Sequence, residues 1–518
     1  MGSIGMEDSH EATLIEELIA ERKFLPGGRY LYAAGRDLHQ VQNCALYRAE
    51  DTREGWAELV QKITMALMTG AGVGVDYSDV RCSGSVISRT GGTASGPVSL
   101  MKIVNEVGRN VMQGGARRSA IWAGLAWWHA DVFDFIRAKD WSPEVRAMKE
   151  KDFTFPADLD MTNISVALDR DFFDQYEGLG DGRGRYAGPA PDGRSWHSWA
   201  HDVYDQVIDK MLTTAEPGFS VNYDNPRESL RNACTEITSE DDSDICNLGS
   251  LNLARFDDID EFDDAVELAT LFLLAGTVYS HLPHDEVYET REKNRRLGLG
   301  LMGVHEWLLA RGKKYGPDYD LGKWLERYTL STRYSHVWAD HLGLSRPIKT
   351  RAIAPNGTIG ILAETTTSAE PIFAAAYKRR VRNASANGDT VGFEYVVDPT
   401  AARLIEQGVD SSLIEDAYSL SYDVERRVAM QAWLQQYVDH GISSTVNLPK
   451  VIDDPDEQRE FGEMLMRYLP KLRGITCYPD GSRGGQPLTA VPIEYAMDKV
   501  GVRFEENEDR CVGGQCGV

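Results

Sequence analysis

The sequence predicts a large α/β fold. Short β-branched runs such as "RAIAP" (351–355) and "STVNLP" (444–449) alternate with long stretches of helical period at 260–282, 321–343 and 454–472. Hydrophobic residues make up 42% of 518, enough for a sizeable core. Helical segments repeatedly run into Gly-rich turns, the punctuation of an α/β chain.

In chain order, residues 1–10 read as a disordered tail outside the fold, and 11–23 as a helix. "GWAELVQKITMALMTGAG" is a second helix, with Trp56, Leu59, Val60, Ile63 and Leu67 on one face and Gly70 as its stop. "CSGSVISRTGGTASGP" (82–97) is too rich in Gly, Ser and Thr for regular structure and is expected to be an ordered loop. "NEVGRNVMQGGARRSA" repeats the design, helix into Gly-rich turn. Residues 11–484 form the expected main domain. Residues 485–518, ending "EENEDRCVGGQCGV", have the composition of a flexible tail.

A formal charge of −25 argues against direct nucleic-acid binding, which needs a basic face to release counterions. A small anionic substrate is compatible with it where local cations receive the anion, and Arg29, Arg117 and Arg118 are candidates. No run of 18 or more apolar residues and no secretory leader is visible, so neither a membrane span nor export is expected and a cytoplasmic location is. Seven cysteines without a signal peptide point to reduced thiols rather than a disulfide scaffold.

Two of those thiols stand in "RNACTEITSEDDSDICNLGSLNL" (231–253). Cys234 has Asn232 and Glu236 each two residues away. A thiol has a reference pKa near ~8.5, and a neighbouring carboxylate raises it, so this setting serves thiolate catalysis poorly. No His lies in the segment as a base partner. A thiyl radical needs no thiolate, and the amide and carboxylate could then manage protons on a substrate.

At this point the chain resembles ribonucleotide reductase catalytic subunits. Asn232-x-Cys234-x-Glu236 followed by Cys246-Asn-Leu-Gly-Ser250 is similar to their finger loop. "LPGGRYLYAAGR" and "QVQNCALY" resemble the segment leading to the first reducing cysteine, Cys44. "MTGAGVGVDYSDVR" and "MQGGARRSA" resemble the two specificity-loop regions, "IAPNGTIGILAETTTSAEPIF" the phosphate-cradling turn, and "CVGGQC" the tail cysteine pair. The resemblance implies a ten-stranded α/β barrel with a central finger loop.

It also implies roles. Cys234 would carry the radical, Glu236 act as base and Asn232 hold the substrate's hydroxyl, while Cys44 and Cys246 reduce by forming a disulfide. Cys511 and Cys516 would shuttle electrons from a thioredoxin-like protein. Pro355, Asn356, Gly357 and Thr358 would bind the substrate phosphate, a role that the free N–H groups of a helix start also suit. Pro26, Gly27, Asn43 and Gly72 are carried over as further substrate positions. Asp51, Arg81, Gln113 and Arg117 are carried over as residues that contact a deoxyribonucleotide effector or relay its identity. No metal site is expected. Cys82 takes the ordinary expectation of a packing or loop cysteine, and the neighbours of Cys477 in sequence assign it no such role.

The tail does not resemble the glycyl-radical class. "GITCYPDGSR" places Cys477 before Tyr478 where the class served by a separate ferritin-like subunit has two adjacent tyrosines, and it resembles adenosylcobalamin-dependent members. Adenosylcobalamin is therefore the expected cofactor. A separate metal-bearing subunit is the alternative, and a non-catalytic nucleotide sensor a further one. The expected activity is reduction of ribonucleoside di- or triphosphates to 2'-deoxyribonucleotides, in a homodimer, without an ATP-cone domain.

Overall fold

The computed structural model describes every residue except 38, 89, 116–117, 153, 384–389, 481, 483–487, 492 and 506–518. Its strands in chain order are β1 (Phe24–Pro26), β2 (Cys44–Arg48), β3 (Gly72–Asp76), β4 (Ile121–Ala126), β5 (Thr162–Asp169), β6 (Gly218–Asn222), β7 (Leu230–Arg231) and β8 (Thr238–Ser239). They continue with β9 (Asp244–Asn252), β10 (Leu297–Met302), β11 (Ala376–Asn383), β12 (Thr390–Val397), β13 (Thr445–Leu448), β14 (Gly474–Pro479), β15 (Leu488–Ala490) and β16 (Arg503–Glu505).

β2 to β6 form a parallel half-sheet in sequence order. A second half runs the other way: β14 meets β6 antiparallel, β9 meets β2 antiparallel, and within this half β13 is parallel to β14 and β10 to β9. Parallel bridges Leu299↔Arg351 and Ile353↔Ile442 then join β10, through 351–353, to the chain entering β13. The ring is closed, with two antiparallel seams. This is the ten-stranded α/β barrel the resemblance implies, and "RAIAP" and "STVNLP" are both staves of it.

The strand sequences explain why the barrel has a lumen. In β3, Val73 and Val75 join the main outer core while Gly72 and Gly74 face inward. In β10, Leu297, Leu299 and Leu301 join a second core while Gly298 faces Cys246 and Leu248. Alternation of branched residues with glycine packs helices outside and leaves space inside.

The helices follow their caps. Arg53–Thr69 starts at Thr52, whose hydroxyl accepts from Gly55 N, and ends at Gly70 with φ +112°. The expected 11–23 helix is His10–Ala20, capped by Ser9, and the 260–282 pattern is Ile259–Tyr279. The 321–343 pattern divides at Leu330 into Tyr319–Thr329 and Ser331–Leu342. The 454–472 pattern ends as a helix at Met466 and resumes as a 3-10 turn containing Pro470, which lacks the N–H an α-helix needs there.

Both chain ends differ from expectation. Residues 1–10 are placed in the fold: Gly2–Ile4 is a 3-10 turn, and Ser3 Oγ donates to Ala275 O at 3.1 Å. The segment from 485 is not wholly a tail, because β15 and β16 flank β11 and β12 in a separate four-stranded sheet over Phe393, Tyr395 and Ala496. Composition missed this because the strands are only three residues each, too short to show a period of their own. Cys511 and Cys516 lie outside the described residues.

Gly74 gives the sharpest steric constraint: a Cβ there would stand 1.7 Å from the Arg231 carbonyl oxygen. Gly74→Ala is expected to displace β7 and destabilise the protein by more than the ~1–3 kcal/mol typical of overpacking. Urea denaturation checks this, and a wild-type midpoint would contradict it.

Candidate active site

β7 and β8 form a short antiparallel hairpin, Leu230↔Ser239 and Arg231↔Thr238, that threads the barrel and carries residues 232–237 as its loop. The loop turns at Thr235, with φ +68°. Barrel elements bond to it from several sides. Gly441 N donates to Glu236 O at 2.7 Å, and Asn163 Nδ2 to Ala233 O at 3.5 Å. The buried Arg231 guanidinium donates to Asn222 Oδ1 at 2.5 Å and Val221 O at 3.1 Å. A Cβ at Gly72 would stand 3.3 Å from the Ala233 Cβ.

The base of the hairpin is braced by buried ion pairs. Lys349 Nζ lies 2.6 Å from Glu228 Oε2 and 2.9 Å from Thr238 Oγ1. Arg296 Nε lies 2.6 Å from Asp244 Oδ2, which also accepts from Ser239 Oγ. Losing one partner of such a pair leaves a buried charge and costs about 3–5 kcal/mol.

At the tip, the expected residues converge. Cys44, opening β2, and Cys246, on β9, are directly opposite in the antiparallel register. Opposed residues in such a pair have Cα atoms ~4.5–5.5 Å apart, inside the 4.4–6.8 Å range of disulfides. Both are buried free thiols here. Burial, the largest cause, pushes each pKa well above the ordinary thiol value, with nearby acidic groups adding to it. Asn232 Nδ2 donates to Cys44 Sγ at 3.1 Å and its Oδ1 accepts from Ile237 N at 2.9 Å, so one amide ties the loop to β2. Asn43 N donates to Cys246 O and Gly72 N to Asn43 O, which adds both to the cluster.

Glu236 is 1% exposed, and its Oε2 has no hydrogen-bond partner among the described residues. Burial raises its carboxyl to about 7, opposed by hydrogen bonds from its own backbone and Asn232. Cys234 faces a cavity of about 230 Å³ that it shares with Trp122, Glu216, Ser443, Thr476 and Tyr478.

The other residues expected to meet the substrate are strung along β9. Pro26 pairs with Gly249, and Gly27 N donates to Leu248 O at 2.8 Å. Ser250 Oγ donates to Asn356 Oδ1 at 3.2 Å, at the start of the helix Gly357–Ala363, where Gly357 and Thr358 are exposed. Four residues of strand, about 13 Å, separate Cys246 from Ser250, so the thiol pair and the helix start stand at opposite ends of one nucleotide-sized span.

The effector residues are not brought together. Asp51 and Arg81 pair at 2.8 Å in a surface cavity of about 680 Å³. Gln113 is elsewhere, its Nε2 donating to Gly70 O at 2.9 Å behind the finger loop. Arg117 lies outside the described residues. Arg29 is buried against the carbonyls of Gln40 and Thr69, which makes it a strut of this region instead of an exposed anion receiver. Arg118 is exposed, with Nη2 3.6 Å from Met161 Sδ. Cys82 sits 3.0 Å from Ser85 Oγ on its loop. Cys477 points into the outer core while Tyr478 points to the Cys234 cavity, as strand alternation requires.

Sequence reasoning missed Glu216, His440 and the Glu228–Lys349 pair. Glu216 Oε2 lies 2.7 Å from Lys139 Nζ. His440 is buried, with Nδ1 accepting from Thr238 N. Each is remote in sequence from Cys234, and only the adjacency of Glu228 and Arg231 to the finger was a visible signal.

Glu236 has a definite linkage. Its folded pKa, about 7, is raised above the reference 4.5, so its favourable protonated form supports the fold fully below pH 4.5 and that support is lost as pH rises through 7. Glu236→Gln is therefore expected to gain, relative to wild type, on the order of 3 kcal/mol between pH 4.5 and 8. Denaturant titrations at the two pH values check this, and a pH-independent difference would contradict it.

The family described as "Ribonucleotide reductase, barrel domain" matches residues 42–321 and 346–469. A vitamin B12-dependent ribonucleoside-diphosphate reductase of Thermoplasma acidophilum is 28% identical over 95% of this chain and 68% of its own length. A putative adenosylcobalamin-dependent ribonucleoside-triphosphate reductase of Mycobacterium phage D29 is 26% identical over 90% of this chain and 75% of its own. Among solved structures, the class Id ribonucleotide reductase alpha subunit of Actinobacillus ureae superposes with a TM-score of 0.69 at 16% identity, covering 91% of this chain and 90% of that one. With the family matched over most of its length, this chain belongs to the ribonucleotide reductases.

Proposed function

We propose that the protein reduces ribonucleoside di- or triphosphates to 2'-deoxyribonucleotides with a thiyl radical on Cys234. The observation that carries this is the placement of one thiol on the finger tip, with two opposed thiols and a buried carboxyl beside it. Cys234 as thiyl takes the 3'-hydrogen, forming S–H and breaking C–H, and gives it back to C3' at the end of the cycle, which restores the thiyl. Glu236 accepts the 3'-hydroxyl proton, and a pKa of about 7 lets it return that proton later in the cycle. Asn232 orients the same hydroxyl. Cys44 and Cys246 give up two hydrogens and close an S–S bond while the 2'-hydroxyl leaves as water. Their raised pKa values suit this, since thiols, not thiolates, carry the hydrogens required. Cys511 and Cys516 pass electrons inward from a thioredoxin-like protein.

The phosphates bind at Asn356, Gly357 and Thr358, with Pro355 leading in and Pro26–Gly27 at the near edge. The 680 Å³ cavity of Asp51 and Arg81 takes a deoxyribonucleotide effector, and Gln113 relays its identity to the finger through Gly70. Exposed Leu31, Met68, Ile103 and Met112, on and beside helices Arg53–Thr69 and Pro97–Asn110, favour a homodimer across that face.

The radical source we infer is adenosylcobalamin, because the relatives of Thermoplasma acidophilum and Mycobacterium phage D29 carry that dependence in their names. The cavity that opens on Cys234, about 230 Å³, is smaller than the ~300–1,000 Å³ of drug-sized pockets, so its residues would hold only the nucleoside end of the cofactor, with Glu216, Ser443, Ser444 and Asn163 lining it. When bound, the cofactor supplies the one-electron chemistry that converts the Cys234 thiol to a thiyl. A second reading, a separate radical-generating subunit, draws on Tyr478 lining the same cavity.

Purified protein given a ribonucleotide, a dithiol and adenosylcobalamin is expected to form 2'-deoxyribonucleotide, and Cys234→Ser to form none. Product only after adding a metal-loaded partner subunit would overturn the cobalamin assignment. No product under either condition would overturn the activity.

A further inference from the structure

We propose that His440 is a positioning residue for Glu236, gripping the return arm of the finger hairpin. The inference rests on the role proposed above for Glu236.

His440 is fully buried, and its own N–H donates to Arg351 O at 3.1 Å. Its Nδ1 accepts from Thr238 N at 3.1 Å and lies 3.3 Å from Thr238 Oγ1. Because Nδ1 receives a backbone N–H, its lone pair must be available, which assigns the ring proton to Nε2. The neighbours enforce a neutral ring: desolvation first, then Lys349, Arg296, Arg231 and Arg351, hold the imidazole well below its usual pKa. Glu228 and Asp439 supply the opposite charge around it, paired to Lys349 and Arg351.

The next residue completes the grip. Gly441 N donates to Glu236 O at 2.7 Å, and its α-carbon lies so close to the finger that a Cβ would stand 3.2 Å from the carbonyls of both Thr235 and Glu236. Consecutive residues 440 and 441 thus hold Thr238 N and Glu236 O, the backbone groups on either side of Ile237. The clamp is itself fixed to the barrel wall, since Ile353 N donates to Gly441 O and Ser443 N to Ile353 O. Glu236 Oε2 has no partner among the described residues, and the carboxyl's hydrogen bonds come from its own backbone and from Asn232 in the same loop, so where the wall holds that loop sets where the carboxyl points. His440 contacts the finger from behind and acts through that placement.

The acceptor position gives a discriminating test. His440→Asn puts an amide oxygen near the site of Nδ1, whereas His440→Gln carries it farther out, to the region of Nε2. A displacement of about 1 Å at a reacting group costs up to roughly 100-fold in rate. The Gln variant is therefore expected to lose about 100-fold in kcat with KM within about 3-fold, and Asn to stay within about 3-fold of wild type in both. Wild-type kcat in the Gln variant, or equal losses in Asn and Gln that track their Tm, would overturn the proposal.

A second measurement does not need turnover. Amide hydrogen exchange across 235–240, read by mass spectrometry, is expected to quicken in Gln and not in Asn. Equal exchange in all three proteins would overturn the role of His440. A wild-type protein that forms no deoxyribonucleotide would contradict the proposed activity, while the exchange experiment would still decide the clamp.

Discussion

The structure depends on a hairpin running through a closed barrel. A strand pair inside a sheet cylinder has no solvent to satisfy its backbone, so its polar groups must be met by the wall. Arg231 bonds to β6, Asn232 to β2, and the 440–441 turn to β8 and Glu236. Glycines at 72, 74 and 441 let the wall approach closely enough. The consequence is a loop bonded to the wall on several sides, as the proposed transfer of one substrate hydrogen requires.

That same burial sets the chemistry of the tip. With Cys44, Cys246, Leu230, Ile237 and Ala352 in one small apolar cluster, ionised thiols are disfavoured. Glu236, in the same surroundings, is moved into the neutral range, where a carboxyl can serve as both acceptor and donor. The lumen thus favours hydrogen atoms and protons over free charges. The charges that do occur, Glu228 with Lys349 and Asp244 with Arg296, are kept at the hairpin base, where they fix its position.

Much of this was legible in the sequence, for identifiable reasons. Cys234, Glu236 and Asn232 are local in the chain, so their spacing survives folding as a visible pattern. "RAIAP" and "STVNLP" could be read as strands from β-branching, although only the bridges at 351 and 442 reveal that they close the barrel. The helix over 321–343 was read as one because its apolar period continues across Leu330. The strands within 488–505 were hidden because their partners, β11 and β12, are some hundred residues upstream, and strands of three residues carry little signal of their own. His440 and Glu216 were invisible for a different reason: an isolated His or Glu acquires meaning only from neighbours that the fold supplies.

The central claim, that Cys234 works on a substrate held before an opposed Cys44–Cys246 pair, meets its most direct test in a single turnover. Pre-reduced enzyme, loaded with cofactor and substrate without external reductant, is quenched in acid, its free thiols are blocked, and its peptides are mapped by mass spectrometry. The account predicts a disulfide joining the Cys44 and Cys246 peptides in proportion to product, with Cys234 recovered as free thiol. Product accompanied by a different cysteine pair, or by no disulfide, would contradict it.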